Sequence, residues 1–229
     1  MNKPSASQGR VVVITGATGA LGRKTAHAFA ESGDALVLLD NDQSKLDSLI
    51  KELHIPEDRL LASVVDLRDA QAVRDSAEAV ANKFGRVHAL IHLVGGWTGG
   101  KTLSETGESD LTFMLNQHVW TTFHLFQAFT PKLAANGWGR VVVVSKSTVN
   151  NPTGKEGVYA AAKAAQENLV LTLAAELKES NVTANIIQVK AIDVDDKGTG
   201  TTPDVIVAAI QYLFSDQAGK VSGARIPLY

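Results

Sequence analysis

The 229-residue sequence contains no cysteine, which excludes disulfides, thiolate metal sites and cysteine nucleophiles together. A chain without disulfides suits a reducing compartment, so we expect a cytoplasmic protein. The sequence also lacks a run of about 20 apolar residues, the length that a membrane-spanning helix needs. The segment from Met1 to Arg10 has no apolar stretch and is not typical of a signal peptide. We therefore expect no membrane partner.

Charge of either sign is not in excess, since the formal net charge is only −2. No stripe of Lys and Arg with interleaved aromatic residues is present, so a nucleic-acid partner is not expected. No stretch rich in Pro, Gly and Ser divides the chain, and no internal repeat is visible. With 45% hydrophobic and 20% charged residues, the composition predicts one globular domain over residues 1–229, of which 1–9 form a flexible leader.

Short β-branched segments alternate along the chain with longer segments of helical period. The alternation predicts strands at Val11–Thr15, Leu36–Asp40, Leu61–Val65, Val87–Leu93, Arg140–Val144, Thr183–Gln188 and Ala224–Pro227. It predicts helices at Leu21–Ser32, Ser44–Leu53, Ala70–Phe84, Glu108–Ala134 and Gly157–Glu179, with a last helix opened by Thr202 and Pro203. Strands joined by crossover helices predict an α/β fold with a doubly wound parallel sheet of about seven strands and helices on both faces.

Three glycines lie between the first predicted strand and the first predicted helix, at Gly16, Gly19 and Gly22. They let the backbone turn tightly and approach a pyrophosphate at the helix N-terminus, as in Rossmann-type folds. The motif predicts a dinucleotide-binding loop made of Gly16, Thr18, Gly19, Ala20, Leu21 and Gly22. Turn-forming glycines can also be a plain connection between a strand and a helix.

An aspartate, Asp40, ends the second predicted strand eighteen positions after Gly22. A carboxylate there accepts hydrogen bonds from the adenosine ribose and repels a 2′-phosphate, so the sequence favours NAD over NADP. The alternative is that Asp40 caps the next helix together with Asn41 and Asp42.

Tyr159 and Lys163 lie four residues apart on one predicted helix, so their side chains emerge on the same face. A tyrosine with a pKa near the ordinary value of about 10 exchanges protons poorly at neutral pH, and an ammonium beside it stabilises the phenolate. The pair therefore predicts a tuned acid/base, although the same spacing also occurs in surface contacts.

Taken together, these features resemble the short-chain dehydrogenase/reductase family over nearly the whole chain. Further matching pieces are Asp66-Leu67, Gly95, Asn116, Asn185 and the three alanines between Tyr159 and Lys163. The resemblance implies that Tyr159 exchanges a proton with the substrate oxygen, that Lys163 also holds the nicotinamide ribose, and that Asn116 anchors a proton-passing water. It further implies that Asp66 contacts the adenine edge and that the cofactor passes over Gly95. A helix-initiating role is the alternative for Asp66.

Some departures from the family pattern surround the predicted site. The glycine spacing is that of longer members, and His92 stands where the family has an amide, which we interpret as a replacement in the core. Val189 and Lys190 replace a common Pro-Gly, so we expect a more open substrate pocket. Trp97 is a candidate for its opposite wall, with a packing role as the alternative.

The most consequential departure concerns the serine that binds the substrate oxygen in the family. Counting thirteen residues back from Tyr159 gives Lys146, which is flanked by Ser145 and Ser147. A one-residue shift in the following loop would bring Ser147 into the site, and we prefer this interpretation to Ser145. Without a shift, Lys146 either polarises the carbonyl as a cation or points to solvent and leaves the site impaired.

The resulting expectation is an NAD-dependent oxidoreductase, without a metal ion, that transfers a hydride between nicotinamide and a small or medium alcohol or carbonyl compound. The alternative is a catalytically impaired NAD(H)-binding regulator or partner subunit of the same fold. The resemblance also implies a homodimer or homotetramer, paired through the helices that carry Asn116 and Tyr159.

Overall fold

The computed structural model describes residues 9–229, so the predicted flexible leader, apart from Gly9, lies outside the described residues. Seven strands are present: β1 Val11–Thr15, β2 Ala35–Asp40, β3 Leu60–Val64, β4 Ala89–His92, β5 Gly139–Lys146, β6 Val182–Val189 and β7 Arg225–Pro227. The α-helices are α1 Ala20–Glu31, α2 Gln43–Leu53, α3 Ala70–Phe84, α4 Glu108–Leu115, α5 Thr121–Ala135, α6 Gly157–Glu176 and α7 Pro203–Leu213.

All seven strands form one parallel sheet in the order β3-β2-β1-β4-β5-β6-β7. The chain leaves β1 toward one edge of the sheet and then returns to place β4 on the other side of β1. Strands β1 and β4 are neighbours, but the chain leaves them toward opposite edges of the sheet. This change of direction opens a crevice at their carboxyl ends, where ligands bind in this architecture. The predicted doubly wound α/β fold is confirmed.

Each face of the sheet carries its own hydrophobic core, because successive side chains of a strand point to opposite faces. Val12 and Ile14 of β1 pack with α1, α2 and α7, whereas Val11 and Val13 pack with α3, α5 and α6. Every residue of β1 is buried, which explains why this strand is continuously apolar instead of alternating.

The predicted helix over Glu108–Ala134 is interrupted, which corrects the sequence expectation of one regular helix. A π-helical segment, Asn116–Trp120, separates α4 from α5. The hydroxyls of Thr121 and Thr122 donate to the carbonyl oxygens of Gln117 and His118, at 2.8 and 2.6 Å. These threonine bonds satisfy carbonyls at the point where the helical register changes, and π segments of this kind occur frequently at functional sites.

Within residues 9–229, no helix combines the length and the apolar character that crossing a membrane requires. The longest helix, α6, has 20 residues, but it carries Lys163, Gln166 and Glu167 as buried polar side chains.

Candidate active site

The loop between β1 and α1 has the close backbone geometry that the glycine motif predicts. Gly16 has a φ of +67°, a conformation that favours glycine. A Cβ atom on Gly22 would lie 2.1 Å from the carbonyl oxygen of Gly16, so only glycine lets the loop pack on the helix. Helix α1 begins directly afterwards at Ala20, with Gly19 as its N-cap residue. The loop thus presents a helix N-terminus whose N-cap residue, Gly19, has no side chain, which fits a pyrophosphate.

Asp40 is tied to this loop and does not cap the next helix. Its Oδ2 accepts from the backbone N–H of Thr18 at 2.9 Å, and its Oδ1 accepts from the N–H of Asn41 at 2.8 Å. The cap of α2 is Asp42, whose carboxylate accepts from the N–H of Lys45. The capping alternative for Asp40 is therefore wrong.

A cleft of about 470 Å³ opens at the carboxyl ends of β1, β2 and β4. Seven residues predicted to bind a cofactor line it: Gly16, Thr18, Gly19, Asp40, Asp66, Leu67 and Gly95. Ala20 and Gly22 are not among its lining residues, and Leu21 borders the cavity next to it. Most of the predicted cofactor residues are thus brought together in one space.

Asp66 lies in this cleft and pairs with Arg68. It accepts hydrogen bonds from the guanidinium Nε and Nη2 of Arg68 at 2.9 and 2.8 Å, and these bonds lower the pKa of the Asp66 carboxyl. The cap of α3 is Asp69, which accepts from the N–H groups of Gln71 and Ala72. Asp66 is therefore not the capping aspartate of that helix.

A second cavity of about 280 Å³ adjoins the cleft, since Leu93, Val94 and Gly95 border both. Tyr159 and Lys163 of α6 line this smaller cavity. The predicted acid/base pair thus lies at the far end of a continuous depression that starts at the glycine loop.

Lys163 is held by two acceptors inside the fold. Its ammonium donates to the carbonyl oxygen of Val144 at 2.9 Å and to the Oε1 atom of Gln166 at 2.8 Å. Gln166 is itself fixed, because its amide donates to the Thr122 hydroxyl at 2.8 Å. Burial lowers the pKa of Lys163 to about 7, against an opposing effect of the Glu167 carboxylate. Gln166 had not been identified from the sequence.

Tyr159 is half-buried, and this burial raises its pKa to about 12, assisted by the negative charge of Glu156. The phenol is consequently protonated at neutral pH in the structure described. A protonated phenol in a cavity can donate a proton to a substrate oxygen.

The structure does not bring Asn116 to this pair. Asn116 borders a surface depression beside the larger cleft, with Trp120 and His124, and lines neither cavity, which corrects the expectation drawn from the resemblance. His118 lies at the site instead, with its ring centroid 5.4 Å from that of Tyr159. Its Nε2 atom is 2.9 Å from the carbonyl oxygen of Gly96, and burial lowers the pKa of His118 to about 3.

The sequence contains a pattern that favours His118 over Asn116 as the residue at the site. Met114, His118 and Thr122 follow at intervals of four, so they share one face of the helix, and all three are buried. Asn116 falls two positions away from His118 and therefore points in a different direction.

The serine prediction is corrected as well. Strand β5 continues without a shift through Lys146, and Ser147 begins a short 3₁₀ turn outside the cavity. Ser145 and Lys146 line the cavity, but the Ser145 hydroxyl oxygen is buried and has no hydrogen-bond partner among residues 9–229. The predicted preference for Ser147 rested on a loop shift that the strand does not make.

His92 lies in the core, as interpreted from the sequence. Its Nδ1 atom is 2.7 Å from the Thr15 hydroxyl, its Nε2 atom is 3.5 Å from the Thr121 hydroxyl, and its ring is fully buried. Burial lowers the pKa of His92 to about 3. The ring thus replaces an amide as a neutral bridge between β1, β4 and the start of α5.

Two loops border the smaller cavity. Lys190, Ala191 and Ile192 line it after β6, and the rest of that loop is closed by Asp193, which accepts from backbone N–H groups of Lys197 and Thr199. Trp97 is 59% exposed and packs on the backbone of its own glycine-rich loop, outside the lining of the cavity. Its role as a pocket wall stays a prediction.

Comparison with known proteins agrees with this arrangement. The family model described as short chain dehydrogenase matches residues 10–201. The chain is 27% identical over 204 residues to the 7alpha-hydroxysteroid dehydrogenase of Escherichia coli (strain K12), covering 89% of this chain and 79% of the relative. It is 26% identical over 236 residues to the 3-oxoacyl-[acyl-carrier-protein] reductase of Thermotoga maritima, covering 96% of each.

Solved structures share the fold. The 3-ketoacyl-(acyl-carrier-protein) reductase from Brucella melitensis complexed with NADH has a TM-score of 0.87 at 22% identity, covering 96% of this chain and 97% of that one. NAD+-bound xylitol dehydrogenase has a TM-score of 0.85 at 21% identity, covering 96% and 98%. Because the family model spans most of the sequence, this chain belongs to the short-chain dehydrogenase/reductase family of oxidoreductases.

Proposed function

We propose that the chain is an NAD-dependent oxidoreductase that transfers a hydride between nicotinamide and a small or medium alcohol or carbonyl compound. The observation that carries this proposal is the continuity of the two cavities, which joins the glycine loop and Asp40 to Tyr159 and Lys163. A nicotinamide cofactor supplies or accepts the hydride when it is bound.

The residues present fit such a cofactor. Gly95 borders both cavities, and a Cβ atom there would lie 3.2 Å from the Cε1 atom of His118, so a residue without a side chain suits the place where a cofactor would pass. Gly16, Thr18 and Gly19 would hold the pyrophosphate, Asp66 and Leu67 the adenine, and Lys163 the nicotinamide ribose. Asp40 would accept hydrogen bonds from the adenosine ribose, and its charge disfavours a 2′-phosphate, which supports NAD over NADP.

Tyr159 and Lys163 would carry the proton chemistry. Tyr159 donates its proton to the substrate oxygen in reduction and takes it back in oxidation. Lys163 uses two of its ammonium donors inside the fold, and its remaining donor would be available to a ligand in the smaller cavity.

The substrate proposal is an alcohol or carbonyl compound. It is supported by the names of the relatives, a hydroxysteroid dehydrogenase and an oxoacyl reductase, and by a cavity of about 280 Å³ at the reactive end. That space suits a small or medium compound.

The test is a fluorescence titration with NADH and with NADPH, followed by a panel of ketones, oxoesters and alcohols monitored through NADH absorbance. We expect tighter binding of NADH than of NADPH and steady turnover of at least one compound. If neither cofactor binds, the proposal is wrong.

A second candidate function is an NAD(H)-binding regulator or partner subunit with little turnover. The position of Lys146 favours it, because Lys146 stands where the family has its serine and Ser147 lies outside the cavity. Tight NADH binding without turnover of any compound in the panel would support this candidate over the first.

We also propose a homodimer or homotetramer. The helical segment from α4 to α5 exposes Leu111, Phe113, Trp120 and Phe123, each at least 39% accessible. Exposed aromatic side chains on one helical segment are typical of a surface that pairs with another chain.

A further inference from the structure

A lysine occupies the position at which a serine was expected beside the acid/base pair. Lys146 is the last residue of β5 and lines the smaller cavity with Tyr159 and Lys163. Its ammonium nitrogen lies 5.3 Å from the centroid of the Tyr159 ring. The side chain is therefore directed over the phenol and not outward into solvent.

Glu156 fixes this ammonium. Its Oε1 atom is 2.7 Å from the Nζ atom of Lys146, and the two side chains are only 21% and 23% exposed. The other carboxylate oxygen accepts from the Thr153 hydroxyl at 2.9 Å, so the carboxylate is itself oriented. The bond from Lys146 lowers the pKa of Glu156, which keeps the pair ionic at neutral pH. A long, flexible side chain is thereby held in one place at the rim of the cavity.

The serine hydroxyls beside Lys146 are not established donors in the cavity. Ser147 lies outside the cavity, and the hydroxyl oxygen of Ser145, a lining residue, is buried and has no hydrogen-bond partner among residues 9–229. The ionisable side chains that line the cavity are Lys146, Lys163, Lys190, Tyr159 and His118, and no carboxylate is among the lining residues within the described part of the chain. A substrate oxygen that gains negative charge would therefore be stabilised by the ammonium groups in the lining, while the Glu156 carboxylate binds Lys146 from outside it.

We propose that Lys146 donates the hydrogen bond that polarises the substrate carbonyl oxygen, in the place where a serine hydroxyl was expected. This inference rests on the proposed function. In reduction, the carbonyl carbon gains the hydride of NADH, the oxygen gains the proton of Tyr159, and the C=O double bond becomes a C–OH single bond. Lys146 keeps all of its protons throughout, and Glu156 acts as a positioning residue.

The experiment compares Lys146→Met, Lys146→Arg and Lys146→Ser with the wild-type chain. NADH oxidation is measured with the diketone 9,10-phenanthrenequinone and with any carbonyl compound that the panel identifies. We expect kcat to fall about 100-fold in Lys146→Met, with a smaller change in KM, because the donor acts on charge that develops in the transition state. Arginine and serine still donate, so their variants should lie between Met and wild type.

NADH affinity, measured by fluorescence, is the readout for folding and should be the same in all variants. Lys155→Met is the matched control, since Lys155 is an exposed lysine in the connection between β5 and α6 and is not a cavity residue. An unchanged kcat in Lys146→Met overturns the inference. If Lys146→Met loses NADH binding, Lys146→Arg and Lys146→Ser are compared with the wild-type chain instead. A fall in kcat of about 100-fold in both of these variants, with NADH binding intact, would also overturn the inference.

Failure of the proposed function is seen separately. If the wild-type chain turns over neither the probe nor any compound of the panel, the proposed function and this inference fall together, before any variant is made. If the wild-type chain is active and Lys146→Met is equally active, only the inference falls.

Discussion

The rings of His118 and Tyr159 meet edge to face, with centroids 5.4 Å apart and planes inclined at 81°. His118 is anchored in turn to the carbonyl oxygen of Gly96 and is neutral at physiological pH, because burial lowers its pKa to about 3. The phenol is thus positioned by a ring that carries no charge. Of the two side chains in this contact, Tyr159 is therefore the one that can exchange a proton with a substrate.

Tyr159→Phe should abolish most of the turnover and leave the fold intact. The phenylalanine ring keeps the edge-to-face contact with His118 but cannot exchange a proton, so we expect kcat to fall about 10²- to 10⁴-fold. NADH affinity should change little. Tyr212→Phe, at a 52% exposed position on α7, is the control and should be fully active. Full activity of Tyr159→Phe would falsify the assignment of the acid/base.

Asp40→Asn should weaken NADH binding and reduce the preference for NADH over NADPH. The carboxylate lies in the larger cleft and is tied to the N–H of Thr18, so the substitution removes its charge from the proposed ribose site. Loss of a charge-assisted hydrogen bond of about 1.5–3 kcal/mol corresponds to a rise in Kd of about 10- to 100-fold.

The control for this experiment is two residues away. Asp42 caps α2 outside the cleft, so Asp42→Asn should leave both affinities unchanged. Both variants are titrated with NADH and NADPH by fluorescence. If Asp40→Asn binds NADH as tightly as Asp42→Asn does, Asp40 does not recognise the ribose.

Much of the scaffold is predictable from the sequence because the buried strands are continuously apolar. Val11–Thr15 and Ala70–Phe84 have the predicted bounds, and the other predicted strands differ from the observed ones by at most two residues at either end. Strand and helix periods reflect local burial, and burial on both faces of a parallel sheet leaves a strong pattern.

The wrong predictions lie where a shift of one or two residues along the chain changes the direction in which a side chain points. Asn116 and His118 are two positions apart within the π segment Asn116–Trp120, so a match by residue type selects the wrong side chain. The prediction of Ser147 depends on a one-residue loop shift that spacing alone does not test, whereas β5 continues through Lys146. Such choices depend on packing between segments that are far apart in the sequence. The local hydrophobic period carries no information about that packing.

Lowering the pH should destabilise the protein at pH values above those at which its carboxylates become protonated. The buried rings of His88, His92 and His118 have pKa values of about 4, 3 and 3 in the folded chain, lowered chiefly by burial. In the unfolded chain their pKa is about 6.5, so the unfolded state binds protons first as the pH falls. Stability is therefore fully present above about pH 6.5 and is lost below it.

The expected loss between pH 7 and pH 5.5 is about 1 kcal/mol of unfolding free energy for each of these histidines. Urea denaturation at the two pH values measures it, and His92→Gln should reduce the loss by one histidine's share. His27→Gln, at an exposed position, is the control variant. An unfolding free energy that does not change over this range contradicts the burial of these rings as neutral groups.

Trp120→Glu should convert the proposed oligomer to a smaller species. Trp120 is 49% exposed and packs against Phe123 with ring centroids 6.0 Å apart, so the two rings form an apolar patch on the segment that we propose as an interface. A buried glutamate without a partner disfavours association strongly. Val64→Glu is the matched control, because Val64 is 48% exposed but lies on the edge strand β3. Light scattering at micromolar concentration measures the mass of each variant. A wild-type chain that is already monomeric refutes the proposed oligomer, and a Trp120→Glu variant with the mass of an oligomeric wild type places the interface elsewhere.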